Sequence, residues 1–156
     1  MNGKKVGTDH YEMKLAWIRR LIDHIKNTYE PGQKLALCGD FNIAPEAGDV
    51  HDPDAWEGSV LYNDAMRAYF EELIEWGFVD TFRQHEKEPG HFSWWDYRML
   101  AFPKNKGLRI DFVLATPSLA ETCTAAGIDR DQRRPKGGPE GTKPSDHAPV
   151  WAEFSD

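Results

Sequence analysis

Residues 10–29 and the stretch that follows them limit the fold more than any other feature. Leu15, Ile18, Leu21, Ile22 and Ile25 recur at helical spacing, with Arg19, Arg20, Asp23 and Lys26 between them. That is the pattern of an amphipathic helix with one apolar face. Pro31-Gly32 ends it, and residues 34–38 then read as a short buried strand bounded by Gly39. A helix followed at once by a buried strand is the rhythm of an α/β fold. The 156 residues are 40% apolar, enough for a real core, and the reading predicts a single domain over 1–156.

The rest of the chain continues in the same manner. Residues 44–62, rich in Pro, Gly and Asp, read as a long loop. Asp64 is the expected N-cap of a second helix, whose apolar face is Met66, Tyr69, Phe70, Leu73 and Ile74, and Gly77 ends it. Residues 92–95, 108–114, 121–128 and 149–154 read as strands. Residues 130–145 hold Pro135, Gly137, Gly138, Pro139, Gly141 and Pro144 and read as a flexible loop.

No apolar run is long enough to span a membrane, and the charged N-terminus lacks the apolar stretch of a signal peptide. Cys38 and Cys123 form no close metal-type pair and read as small core residues, so a reducing, cytoplasmic location is expected. The net charge of -7 argues against a nucleic-acid partner until its distribution is considered. Residues 1–80 carry 8 Lys/Arg against 15 Asp/Glu, and residues 81–156 carry 11 against 11. The later half is locally basic at Arg130, Arg133, Arg134 and Lys136. Clustered carboxylates that hold a divalent cation also lower the net charge without excluding DNA.

Four groups of residues point to chemistry. Gly39-Asp40-Phe41-Asn42 follows directly on the buried strand, where α/β proteins place ligand sites. If the chain stays extended, Asp40 and Asn42 lie on one side. A carboxylate there can take a proton from water, and an amide can donate to a charged phosphoryl oxygen. The same residues are equally at home in a simple turn. Ser145-Asp146-His147-Ala148-Pro149 precedes the last strand, and an acid beside a His suits metal and phosphate contacts. Asp111 interrupts the apolar run 108–114, and a buried carboxylate calls for a partner such as a His. Phe92, Trp94, Trp95 and Tyr97, followed by Arg98, offer either core or a stacking pocket with a phosphate-binding cation. At least two of those rings are expected in the core.

The order of these segments resembles the exonuclease III branch of the endonuclease/exonuclease/phosphatase superfamily. The resemblance is carried by Leu37-Cys38-Gly39-Asp40-Phe41-Asn42-Ile43-Ala44-Pro45, Val79-Asp80-Thr81-Phe82-Arg83, Phe92-Ser93-Trp94-Trp95-Asp96-Tyr97-Arg98, Gly107-Leu108-Arg109-Ile110-Asp111 and Pro144-Ser145-Asp146-His147-Ala148-Pro149-Val150. It implies the C-terminal half of a DNase I-like four-layer α/β sandwich: one mixed, mainly antiparallel sheet with helices on one face. It implies metal-assisted hydrolysis of DNA phosphodiesters at abasic sites or 3′ ends in base-excision repair. By resemblance Asp40 is the general acid/base, Asn42 contacts the scissile phosphate, Asp111 orients His147, and His147 binds the phosphate. Asp146 helps hold Mg²⁺ or Mn²⁺, with Asp40, Asn42 and His147 as weaker ligands. Trp94, Arg98, Leu108 and Phe112 line the substrate pocket.

The family also carries an N-terminal Asn, a metal-binding Glu and a Tyr that have no counterpart here. Poor Mg²⁺ affinity and weak or absent activity of the chain alone are therefore expected. An uncovered apolar sheet face is expected too, filled by a second copy of the chain in a homodimer or by a separate N-terminal half. The rival readings are a non-catalytic folded fragment that binds DNA or a partner, and a phosphodiesterase of the same fold with another substrate.

Overall fold

The computed structural model describes residues 4–134 and 143–156. Helix α1 (Asp9–Thr28) leads into strand β1 (Ala36–Asp40). Then come the short helix α2 (Pro53–Trp56), helix α3 (Asp64–Trp76), strand β2 (Val79–Asp80) and helix α4 (Thr81–His85). Strand β3 (Asp111–Ala115), helix α5 (Pro117–Ala120), strand β4 (Cys123–Ile128) and strand β5 (Val150–Phe154) complete the chain. All the strand pairs are antiparallel. They form a three-stranded sheet in the order β1-β3-β2 and a two-stranded sheet β4-β5, so the α/β architecture stands with its strands in two pieces.

The main core is built by the apolar faces that the periodicity marks. Ile18, Ile22 and Ile25 of α1 meet Met66, Phe70 and Leu73 of α3 over Phe112 and Leu114 of β3. Each fully buried side chain of this size contributes about 1.5–3 kcal/mol, which fixes both helices against one face of β3. Helix α3 begins one residue earlier than the sequence suggests. Asn63, not Asp64, is its N-cap: its Oδ1 accepts the Met66 amide at 3.2 Å and the Tyr11 hydroxyl at 3.1 Å. Asn63 is buried, whereas Asp64 points outward to Arg67. Asn63→Ala should therefore cost about 1–2 kcal/mol in urea unfolding, and Asp64→Ala less than about 0.5 kcal/mol.

Several local expectations need correction. Strand β1 is not buried: Ala36 and Cys38 are exposed, and only Leu37 packs toward the main core. β1 is an edge strand, and α1 and α3 cover one of its faces. Cys38 is thus a surface thiol, while Cys123 is buried. Residues 92–95 form no strand. The Ser93 and Trp94 amides both donate to the Leu108 carbonyl, and this convergence stops a ladder from propagating. Leu108 likewise makes only isolated bridges, and the regular strand begins at Asp111. The expected loop 44–62 contains the 3₁₀ turn Ala47–Asp49 as well as α2.

The expected loop 130–145 opens with the 3₁₀ turn Arg130–Arg133, and residues 135–142 lie outside the described residues. Of its described arginines only Arg134 is exposed, and it pairs with Asp131 at 2.9 Å. The Arg130 guanidinium lies 4.2 Å from the Phe102 ring centre, and buried Arg133 stacks on Tyr97 at 4.8 Å. Lys136 falls outside the described residues. Among the described residues, Trp151 is the only large apolar side chain exposed on a strand. Val113, Val150 and Phe154 of the strands are partly exposed as well. No described helix is long and apolar enough to cross a membrane.

Candidate active site

Three segments converge at one end of the β1–β3 pair. The register places Asp40 directly opposite Asp111. Opposed residues of an antiparallel pair sit about 5 Å apart at Cβ, and two like charges there repel. The third segment, 144–149, docks alongside: the Trp95 amide donates to the Asp146 carbonyl at 3.0 Å, and the Ala148 amide to the Ser93 carbonyl at 2.7 Å. This brings His147 Nδ1 to 2.9 Å from Asp111 Oδ2.

Asp111 is held on two sides. Buried Ser93 donates its hydroxyl to Asp111 Oδ2 at 2.6 Å and accepts the Ile110 and Asp111 amides at 3.0 and 3.1 Å. Ser93 was not singled out from sequence. The available signal was a small polar residue inside an aromatic run. Gly107 lets this layer close up, because a Cβ there would lie 2.5 Å from Trp95 Nε1 and 2.7 Å from the Trp94 carbonyl.

Asp40 and Asn42 do meet, but not through a strand pleat. The strand ends at Asp40, and Asn42 takes a left-handed φ of 52°, a conformation Asn tolerates better than most residues. The Asn42 amide donates to Asp40 Oδ1 at 2.8 Å, and its Nδ2 to Asp40 Oδ2 at 2.7 Å. The turn and the functional arrangement are therefore the same structure.

The electrostatics follow from this crowding. Desolvation of its carboxyl raises the Asp40 pKa, and the Asp111 charge adds to the rise against the opposing Asn42 amide bond. Burial alone would depress the His147 imidazolium, but the Asp111 bond and the charges of Asp111, Asp40 and Asp146 outweigh it and leave its pKa above the usual value. Asp40, Asp111 and His147 offer ligand atoms that all lie within 4.8 Å of one another. Two carboxylates suit a hard cation in kind, although such ions prefer about six oxygens, so other donors must complete the shell. His147 Nδ1 is already engaged with Asp111. Asp146 stands outside this group, and its Oδ2 accepts the Trp94 indole N–H at 2.9 Å. Asp146 and Asn42 line the same cavity as Asp40 and His147.

A cavity of about 430 Å³ opens over the cluster, lined by Asp40, Asn42, Trp94, Arg98, Asp146 and His147 among others. Arg98 stands at its rim in an exposed two-pronged pair with Asp96 at 3.0 Å. Two expected pocket residues are misplaced. Leu108 is fully buried against Val50, Leu61 and Ile110, and Phe112 is buried in the main core against Phe41 and Phe70. Neither can touch a substrate. Of the four rings, Phe92 and Trp95 are core, while Trp94 faces the cavity and Tyr97 lies at the surface.

The pattern of the endonuclease/exonuclease/phosphatase family matches residues 5–147. The chain belongs to that family. It is 36% identical over 141 residues to exodeoxyribonuclease III of Haemophilus influenzae, a match covering 86% of this chain and 51% of the relative. An AP endonuclease from Archaeoglobus fulgidus superposes with a TM-score of 0.90 at 35% identity, covering 99% of this chain and 58% of that one. A 3′-5′ exonuclease from Neisseria meningitidis gives 0.89 at 34% identity, covering 98% and 57%. The chain shares the DNase I-like fold of these structures. It spans about half the length of the curated relatives it matches.

Proposed function

We propose that the cavity over Asp40, Asp111 and His147 hydrolyses DNA phosphodiesters at abasic sites or 3′ ends, as part of base-excision repair in the cytoplasm. The observation that carries this reading is the cross-strand carboxylate pair with an imidazole bonded to one member. Asp40, with its raised pKa, takes a proton from the attacking water. His147, whose protonated form Asp111 favours, meets the negative phosphoryl oxygen. The second N–H of the Asn42 amide is available to another oxygen of the same phosphate. Mg²⁺, or Mn²⁺ in its place, would rest on Asp40 and Asp111 and supply charge neutralisation at the phosphate. With so few protein oxygens, its affinity should be weak.

Trp94 on the cavity wall and Arg98 at the rim favour a nucleic-acid sugar–phosphate over an inositol headgroup. Titration of the ¹⁵N-labelled chain with a duplex bearing an abasic-site analogue should shift the Trp94 indole signal, which reports on the bond to Asp146. An inositol phosphate should leave it in place. Equal shifts from both ligands, or a shift from the inositol phosphate alone, would remove the preference for DNA.

A further inference from the structure

Lys14 lies on α1, on the face otherwise given to Tyr11, Ile18 and Ile22, and only 1% of it is exposed. A buried lysine is costly unless its donors are used. Its Nζ donates to the Asn42 carbonyl at 2.6 Å and to the Val60 carbonyl at 2.6 Å. Asn42 and Val60 both line the cavity over the carboxylate pair, and Lys14 does not. The ammonium therefore ties two walls of the cavity together from beneath. One of those walls is the left-handed turn whose amide and side chain grip Asp40.

We propose that Lys14 is a positioning residue that locks the Asp40–Asn42 turn in the shape the reaction needs. The role rests on the functional reading above, because only that reading gives the turn a reaction to serve. No side chain of the main core could substitute. The Asn42 carbonyl faces into the protein, where water cannot satisfy it, and an apolar residue at position 14 would leave two buried acceptors unpaired. Burial pulls the Lys14 pKa down to about 8, while the nearby Asp40 charge works the other way. At neutral pH the group still carries its proton and all its donors.

Amide hydrogen exchange and cleavage kinetics on the full chain test the role, using wild type, Lys14→Met and Lys14→Arg. In Lys14→Met the Asn42 amide should exchange at least about tenfold faster, the loss expected from a charge-assisted hydrogen bond. The Ile22 and Ile25 amides of α1 should keep their protection. Lys14→Arg, which retains charge and reach, should restore most of the Asn42 protection, and it answers the question if the Met variant does not fold. In steady-state cleavage, Lys14→Met should lower kcat with KM nearly unchanged. Unchanged Asn42 exchange, or a loss shared equally by Ile22 and Ile25, would overturn the proposal. So would Asn42 exchange in Lys14→Arg as fast as in an unfolded chain. A wild-type chain that cleaves no DNA would count against the functional reading instead, and the exchange data would still decide whether Lys14 holds the turn.

Discussion

Arg109→Met is expected to cost about 3–5 kcal/mol of folding stability, a large share of what a domain of this size possesses. Arg109 is almost fully buried. Its Nε and Nη2 meet the two oxygens of Asp49 at 2.7 and 3.1 Å, and its Nη1 meets Asp80 at 2.6 Å. Asp49 has no solvent contact, and its other cation, Arg83, sits 2.6 Å away. Removing Arg109 leaves Asp80 without its cation and Asp49 with only half of its own. Methionine fills the volume against Phe112 and Phe82, so the loss is electrostatic rather than a cavity. Urea unfolding measures it. The double variant Arg109→Met/Asp80→Asn should recover part of the loss, because it removes the charge left without a cation. A single variant within about 1 kcal/mol of wild type would mean the network is not what joins this loop to the strand.

Asp111→Asn is expected to reduce DNA cleavage by about 10–100-fold and to lower the His147 pKa. In the wild type, burial depresses the imidazolium, and the Asp111 bond together with the charges of Asp111, Asp40 and Asp146 more than reverses the effect. With the carboxylate gone, its bond and its charge are lost and only the Asp40 and Asp146 charges oppose burial. The sign of the stability effect follows. The His147 pKa is raised by folding, so its contribution is fully present below the unfolded value of 6.5 and is lost as pH rises through the folded value. Wild-type stability should thus decline over that window, and Asp111→Asn should show a smaller decline. An NMR titration of His147 reads the shift directly. A His147 pKa that does not move in Asp111→Asn would dissociate the pair.

Much of the fold could be read from local pattern. The isoleucines of α1 and the apolar face of α3 follow a strict helical period, and burial confirms both faces except at Ile74, which is exposed. The failures share a physical cause, which is that the partners are distant in sequence. Lys14 looks like one more surface charge on an amphipathic helix until the turn at Asn42 closes over it. Arg109 lies in a motif that draws the eye to Asp111, while its own partners are far away at Asp49 and Asp80. The family resemblance puts Leu108 and Phe112 in the pocket, but alternation turns Phe112 toward the helices. For the site itself, the residue types were legible and the geometry was not. Sequence gives no hint that Asp40 and Asp111 are cross-strand neighbours, nor that Ser93 pins the second of them.

The most direct test of the account is cleavage itself. The purified chain, with Mg²⁺ or Mn²⁺ well above the range needed by a tight site, is incubated with a duplex bearing an abasic-site analogue and with one carrying recessed 3′ ends. Asp40→Asn and His147→Gln are run beside it, each shown to be folded. The account predicts slow metal-dependent cleavage by the wild type that falls by about 100-fold or more in both variants. A folded wild-type chain that leaves both duplexes intact, or cleavage that survives both substitutions, would contradict it.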